Sequence, residues 1–152
     1  MVTAPRPAKN IVLAEDNSAD IIVVRLALKS SGLDCEPHVL DDGEKAITFI
    51  EEPDANPAAG VVDLLLPDMH LPGSGGDEIL ERLRASDDHA RTPVVVMTAS
   101  DAPRDHAQAQ EYAAMHYFQK PSDLAGYMHP GIIVRDLLSS GAHPKEAPGG
   151  EK

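Results

Sequence analysis

The stretch VVDLLLPDMHLPGSGG, residues 61–76, decides how the chain folds. Its apolar run from Val61 to Leu66 is too short for a helix and too continuous for a strand with one wet face. A strand buried on both faces of a parallel sheet fits it. The run ends at Pro67-Asp68, and a glycine-rich turn follows at Gly73-Ser74-Gly75-Gly76. Outward from this stretch, short β-type runs alternate with amphipathic ones. Strands are expected at 11–14, 35–40, 61–66, 94–98 and 117–119, and helices over 18–31, 42–52, 76–86, 103–114 and 122–139. Five strand-helix repeats imply an α/β fold, a doubly wound parallel sheet with helices on both faces and right-handed crossovers. Pro37 lacks the N–H that a central strand needs, which puts the second strand at an edge.

The chain has 152 residues, 13 basic and 25 acidic side chains, and a formal charge of −12. That is the length of one domain. Residues 1–9 and 140–152, rich in Pro and Gly, read as flexible tails around a folded unit at 10–139. The acidity and the lack of a basic stripe argue against nucleic-acid binding. No apolar run approaches the ~20 residues of a membrane span, so no membrane partner is expected. One cysteine, Cys35, and an N-terminus without the apolar core of a signal peptide suggest a cytoplasmic protein.

Ser18 and Asp42 are candidate N-caps, and Gly32 a left-handed stop after the first helix. That helix carries Val23, Val24, Ala27 and Leu28 on one face. The opposite face mixes Arg25 and Lys29 with Ile22 and Leu26, which leaves two large apolar residues facing water and suggests a docking patch. Pro130-Gly131 interrupts the last helix pattern, so a kink or a late start is expected there.

In a parallel sheet, ligands bind beyond the carboxyl ends of the strands. Glu15 and Asp16 follow strand one, Asp68 ends strand three, Thr98 ends strand four, and Lys120-Pro121 follows strand five. Carboxylates ~4 Å apart repel by about 4 kcal/mol at an effective dielectric near 20, so three of them need a compensating cation. Oxygen donors of this kind suit Mg²⁺ better than Ca²⁺, and neither an EF-hand loop nor zinc-ligand spacing is present. A carboxylate beside such an ion, with an ammonium and a hydroxyl in reach, is equipped to attack phosphorus and hold it as an acyl phosphate. Asp68 is the candidate nucleophile.

With these residues in view, IVLAEDN (11–17), VVDLLLPDMHLPGSGG (61–76), VVVMTAS (94–100) and YFQKPSD (117–123) resemble the response-regulator receiver domain of two-component signalling. The Asp42-Gly43 pair, the spacing to Asp68 and the TAS-D turn resemble most the stand-alone regulators associated with bacteriophytochrome histidine kinases. The resemblance implies strand order 2-1-3-4-5, phosphorylation of Asp68 by a sensor histidine kinase, and Mg²⁺ held by Glu15, Asp16, Asp68 and the backbone carbonyl of His70. It implies that Thr98 and Lys120 are drawn in on phosphorylation and that the Tyr117 ring follows. It also implies a cis bond before Pro121 and homodimers through helix four, strand five and helix five. The chain would be a phosphoacceptor, catalysing only its own phosphotransfer and dephosphorylation.

Pro67 stands where the family has an aliphatic residue and forfeits a ladder hydrogen bond, and the glycines at 73–76 imply a loose loop. Two rivals share parts of this pattern. A haloacid-dehalogenase-type phosphatase needs a second Asp two residues after the nucleophile, where His70 stands. A degenerate receiver that only binds partners would have lost an acid, the Thr or the Lys, and all are retained.

Overall fold

The computed structural model describes residues 9–33, 35–55, 60–141 and 144. The tail positions 1–8, 142–143 and 145–152 lie outside the described residues. Among the described residues, five strands, β1 (Ile11–Ala14), β2 (His38–Leu40), β3 (Leu64–Pro67), β4 (Val95–Thr98) and β5 (His116–Gln119), alternate with α1 (Ser18–Ser30), α2 (Gly43–Ala55), α3 (Gly76–Ala85), α4 (Pro103–Glu111) and α5 (Leu124–Ser140). A 3-10 turn at Asp87–His89, which has no counterpart among the expected elements, precedes β4.

All strand pairs are parallel, in the order β2-β1-β3 and β4-β5, with a bridge between Leu65 and Val94 joining the two ladders. The break has a local cause. The Leu65 N–H donates to Pro93 O at 3.0 Å, whereas the Asp68 N–H donates to Ala14 O at 2.9 Å, so the odd residues of β3 face β4. Pro67 is next in that odd row and has no N–H to give.

Side chains alternate across the sheet, and two cores result. Val12, Ala14, Leu65, Val94 and Val96 pack against α2 and α3 through Ala46, Ile50, Ile79, Leu80 and Leu83. Ile11, Leu13, Leu64, Leu66, Val95 and Met97 pack against α1 and α5 through Val24, Ala27, Leu28, Tyr127 and Val134. This is the doubly wound arrangement expected.

Several local expectations need correction. The cap of α1 is Asn17, whose side chain accepts from the Asp20 N–H at 3.0 Å, and Ser18 is already helical. β2 begins only at His38, after Pro37, although it is the edge strand as expected. α4 ends at Glu111 because Ala113 turns left-handed at φ +63. The Arg84 guanidinium steadies that end by donating to Tyr112 O at 2.8 Å. α5 starts at Leu124 and runs through Pro130, which forgoes one helical hydrogen bond while its ring is buried. Gly131 is what the crossing of α5 over α1 requires, since a Cβ there would lie 2.9 Å from Ala27 O and 2.7 Å from Ser31 Oγ. No cis peptide bond occurs among the described residues, so the bond before Pro121 is trans.

Other details agree with expectation. Gly32, at φ +95, follows α1, with its N–H on Lys29 O and that of Leu33 on Leu28 O, the paired bonds of a Schellman stop. Asp42 accepts from the Lys45 N–H at 2.8 Å at the start of α2.

Candidate functional site

The carboxyl ends of β1, β3, β4 and β5 bring Glu15, Asp16, Asp68, Thr98 and Lys120 around one shallow pocket, lined also by Asn17, Asp20 and His70. Each strand delivers its residue by register. Ala14 pairs with Pro67, which sets Glu15 beside Asp68, and Thr98 pairs with Gln119, which sets Lys120 at the same level. The Lys120 N–H donates to Thr98 O at 2.7 Å and fixes where that side chain leaves the sheet.

Asp68 is buried and well hydrogen-bonded. Its Oδ1 accepts from Thr98 Oγ1 at 2.7 Å and from the His70 N–H at 3.0 Å, and its Oδ2 meets Lys120 Nζ at 3.0 Å. Thr98 and Lys120 therefore already hold the unmodified carboxylate.

Lys120 Nζ also meets Glu15 Oε1 at 2.8 Å and Asp20 Oδ2 at 2.7 Å. Burial by itself lowers an ammonium pKa, but hydrogen bonds to Asp20, Glu15 and Asp68 outweigh it and raise that of Lys120. Burial raises the Glu15 carboxyl above its ordinary value, against the opposing hydrogen bond from Lys120.

Glu15, Asp16 and Asp68 each offer an oxygen, all within 4.8 Å of one another. Glu15 and Asp68 are buried while Asp16 is exposed, so the group opens to solvent on one side. An all-oxygen, like-charged set with an open side fits a hard divalent cation that keeps part of its water. Asp20 lies outside this triad and was missed in the sequence. As a first-turn acid it reads simply as favourable to the helix dipole, and its partner lies 100 residues away.

The His70 side chain turns away from Asp68 toward α4, where Nε2 meets the buried Asp105 Oδ2 at 2.6 Å. Ser100 Oγ hydrogen-bonds the same oxygen. Tyr117 closes this side, with its hydroxyl on Ser100 O at 2.9 Å and its ring stacked on His106 at 3.7 Å between centroids. The glycine-rich loop is held at both ends by close backbone contacts. A Cβ on Gly76 would lie 2.6 Å from Met69 Cα, and the Gly43 N–H donates to Pro72 O at 3.0 Å. On α1, Ile22 and Leu26 are 56% and 47% exposed, as the helix pattern anticipates.

Comparison with known proteins agrees with this geometry. Residues 11–129 match the family described as response regulator receiver domain. The chain is 34% identical over 118 residues to response regulator Rcp1 of Synechocystis, covering 78% of this chain and 80% of that one. A crystal structure of Rcp1 in an Mn²⁺-bound form superposes with a TM-score of 0.76 at 30% identity, over 90% of this chain and 99% of that one. The phosphorylated cyanobacterial phytochrome response regulator RcpA superposes with a TM-score of 0.78 at 27% identity, over 92% and 100%. No helix among the described residues is long and apolar enough to cross a membrane. With the 2-1-3-4-5 sheet, the acids at the ends of β1 and β3 and the family match in agreement, the chain belongs to the response-regulator receiver domain family.

Proposed function

We propose that this protein is a stand-alone, cytoplasmic response regulator whose Asp68 accepts a phosphoryl group from a phosphohistidine of a sensor histidine kinase. The observation that carries this reading is the Asp68 carboxylate, buried yet reachable from the pocket, with Thr98, Lys120 and the His70 N–H aimed at it. A carboxylate oxygen attacks phosphorus, a P–O bond forms, the P–N bond to the histidine breaks, and its electron pair stays on the imidazole. Lys120 and Thr98 then donate to phosphoryl oxygens. Hydrolysis reverses the change when water attacks phosphorus, the P–O bond to Asp68 breaks and inorganic phosphate leaves. The protein acts as a phosphoacceptor, without a turnover substrate of its own.

Glu15, Asp16, Asp68 and the His70 backbone carbonyl would hold Mg²⁺. When bound, the ion supplies positive charge that offsets the acids and the incoming phosphoryl group. The Mn²⁺-bound state of the Rcp1 relative supports a divalent cation here.

For output, phosphorylation adds negative charge and acceptor oxygens beside Thr98, and Tyr117, bonded to Ser100 O, passes the change to α4, β5 and α5. That face is proposed to pair with a second copy. Exposed Ile22 and Leu26 on α1 are proposed to receive the kinase's phosphohistidine helices, and the likeness to phytochrome response regulators favours a bacteriophytochrome as that kinase. Labelling with acetyl phosphate and Mg²⁺ tests the reading, since the wild type should gain acid-stable, base-labile phosphate and Asp68→Asn none.

A further inference from the structure

Tyr117, which the proposed switch moves, is held from two sides. Its hydroxyl donates to Ser100 O at 2.9 Å, and the face of its ring lies on the His106 imidazole, with centroids 3.7 Å apart and planes 24° from parallel. His106 stands on the exposed side of α4, where packing of the core asks for no aromatic residue. Its ring is oriented in turn by Asp101, whose Oδ1 lies 2.9 Å from Nε2. An exposed imidazole fixed at one nitrogen and laid against a neighbouring ring is arranged to hold that ring rather than to fill the core.

Both holds lead back to one short loop. Ser100 and Asp101 are consecutive residues of the segment 99–102 between β4 and α4. Ser100 supplies the carbonyl that accepts from the Tyr117 hydroxyl, and Asp101 the carboxylate that orients His106. The same loop leans on Thr98, whose Oγ1 accepts from the Ser100 N–H at a long 3.4 Å while it donates to Asp68 Oδ1 at 2.7 Å. A change at the Asp68 carboxylate therefore reaches Thr98, then Ser100 and Asp101, and through them the two contacts that hold Tyr117. Register keeps the ring beside this loop, because Tyr117 pairs with Val96, two residues before Thr98.

We infer that His106 is a latch on Tyr117, which by stacking on the ring favours its present position, so that phosphorylation of Asp68 has to part the two rings before the output face changes. His106 is a positioning residue that acts through Tyr117. The inference rests on the proposed phosphorylation of Asp68 and adds what opposes its readout. A stacked aromatic pair weights one of two ring positions by about threefold to tenfold. That bias keeps the unphosphorylated protein from presenting its output face. Linkage makes the coupling reciprocal, so removing the latch strengthens binding of a phosphoryl mimic at Asp68 by the factor by which it frees the ring.

Beryllofluoride with Mg²⁺, a mimic of the phosphoryl group, tests this on the full chain in the wild type, His106→Ala and His106→Phe. Two quantities are read, its dissociation constant and the Tyr117 χ1 rotamer populations from three-bond NMR couplings, which a lost neighbouring ring does not itself alter. In the wild type, beryllofluoride should shift the Tyr117 rotamer. His106→Ala should move the populations toward the shifted rotamer before any beryllofluoride is added, and should bind it about threefold to tenfold more tightly. His106→Phe keeps a stacked ring and should return both readings to the wild-type values. Either reading unchanged in His106→Ala would overturn the inference, as would a His106→Phe that behaves like His106→Ala, or a wild type that binds beryllofluoride with Tyr117 unmoved. A wild type that binds no beryllofluoride refutes the proposed function instead, and is recognised because the affinity itself is then missing.

Discussion

His70 Nε2 and Asp105 Oδ2 lie 2.6 Å apart, joining the loop after Asp68 to the first turn of α4. Asp105 is buried, and its carboxyl is held below the usual range because hydrogen bonds from Ser100 and His70 outweigh the opposing effect of burial. The residue two after Asp68 is thereby tied to the helix whose surface the proposed switch alters. Asp105→Ala removes the charged acceptor that Ser100 and His70 share and should cost about 1.5–3 kcal/mol. Urea unfolding measures this, and the first turn of α4 should lose exchange protection. Stability equal to wild type would show that the contact does not anchor α4.

Thr98 Oγ1 donates to Asp68 Oδ1 at 2.7 Å while the Tyr117 hydroxyl sits on Ser100 O, two residues on. Thr98→Ala should still accept phosphate but lose most of the exchange change in α4, and Thr98→Ser should restore it. A full α4 response in Thr98→Ala would remove this hydroxyl from the switch.

Glu15 gives a pH dependence of definite sign. Burial raises its carboxyl above 4.5, so the folded protein holds that proton more tightly than the unfolded chain. The stability it contributes is complete below pH 4.5 and is lost as the pH rises through the raised value. Without divalent ions, the wild type should therefore lose stability relative to Glu15→Gln from pH 4.5 toward neutrality. Magnesium should reverse the order, adding about 2.7 kcal/mol to the wild type at a hundredfold excess over its dissociation constant and less to the variant. Thermal melts at several pH values check both halves, and parallel pH profiles with equal magnesium shifts would contradict them.

Much of this was legible in the sequence because the strands are short apolar runs, each ending in a polar residue of a type that chemistry needs. Periodicity placed Glu15, Asp16, Asp68, Thr98 and Lys120 at one sheet edge, and the structure brings them together there. What stayed hidden depends on contacts between distant positions. Nothing local marks Asp20 as a partner of Lys120, or Asp105 as a partner of His70. The proline readings show how tertiary packing overrides local rules. Pro67 breaks the β3 ladder as its missing N–H requires, yet Pro130 leaves α5 unbroken because its ring is buried in the helix pair.

Ile22→Asp places a charge on the exposed face of α1, away from the buried Val24, Ala27 and Leu28. It should slow phosphoryl transfer from the kinase at least tenfold, as loss of an apolar interface anchor worth about 1.4 kcal/mol or more would. Labelling by acetyl phosphate should stay at the wild-type rate. If both donors slow together, the substitution has disturbed the site and the docking assignment fails.

Asp68 is proposed to become an acyl phosphate in the pocket shared with Glu15, Asp16, Thr98 and Lys120. Intact-mass and peptide mapping after incubation with acetyl phosphate and Mg²⁺ tests it most directly. One phosphate per chain, located at Asp68, dependent on the divalent ion and absent from Asp68→Asn, is the predicted result. Phosphate at another residue, or equal labelling of Asp68→Asn, would contradict it.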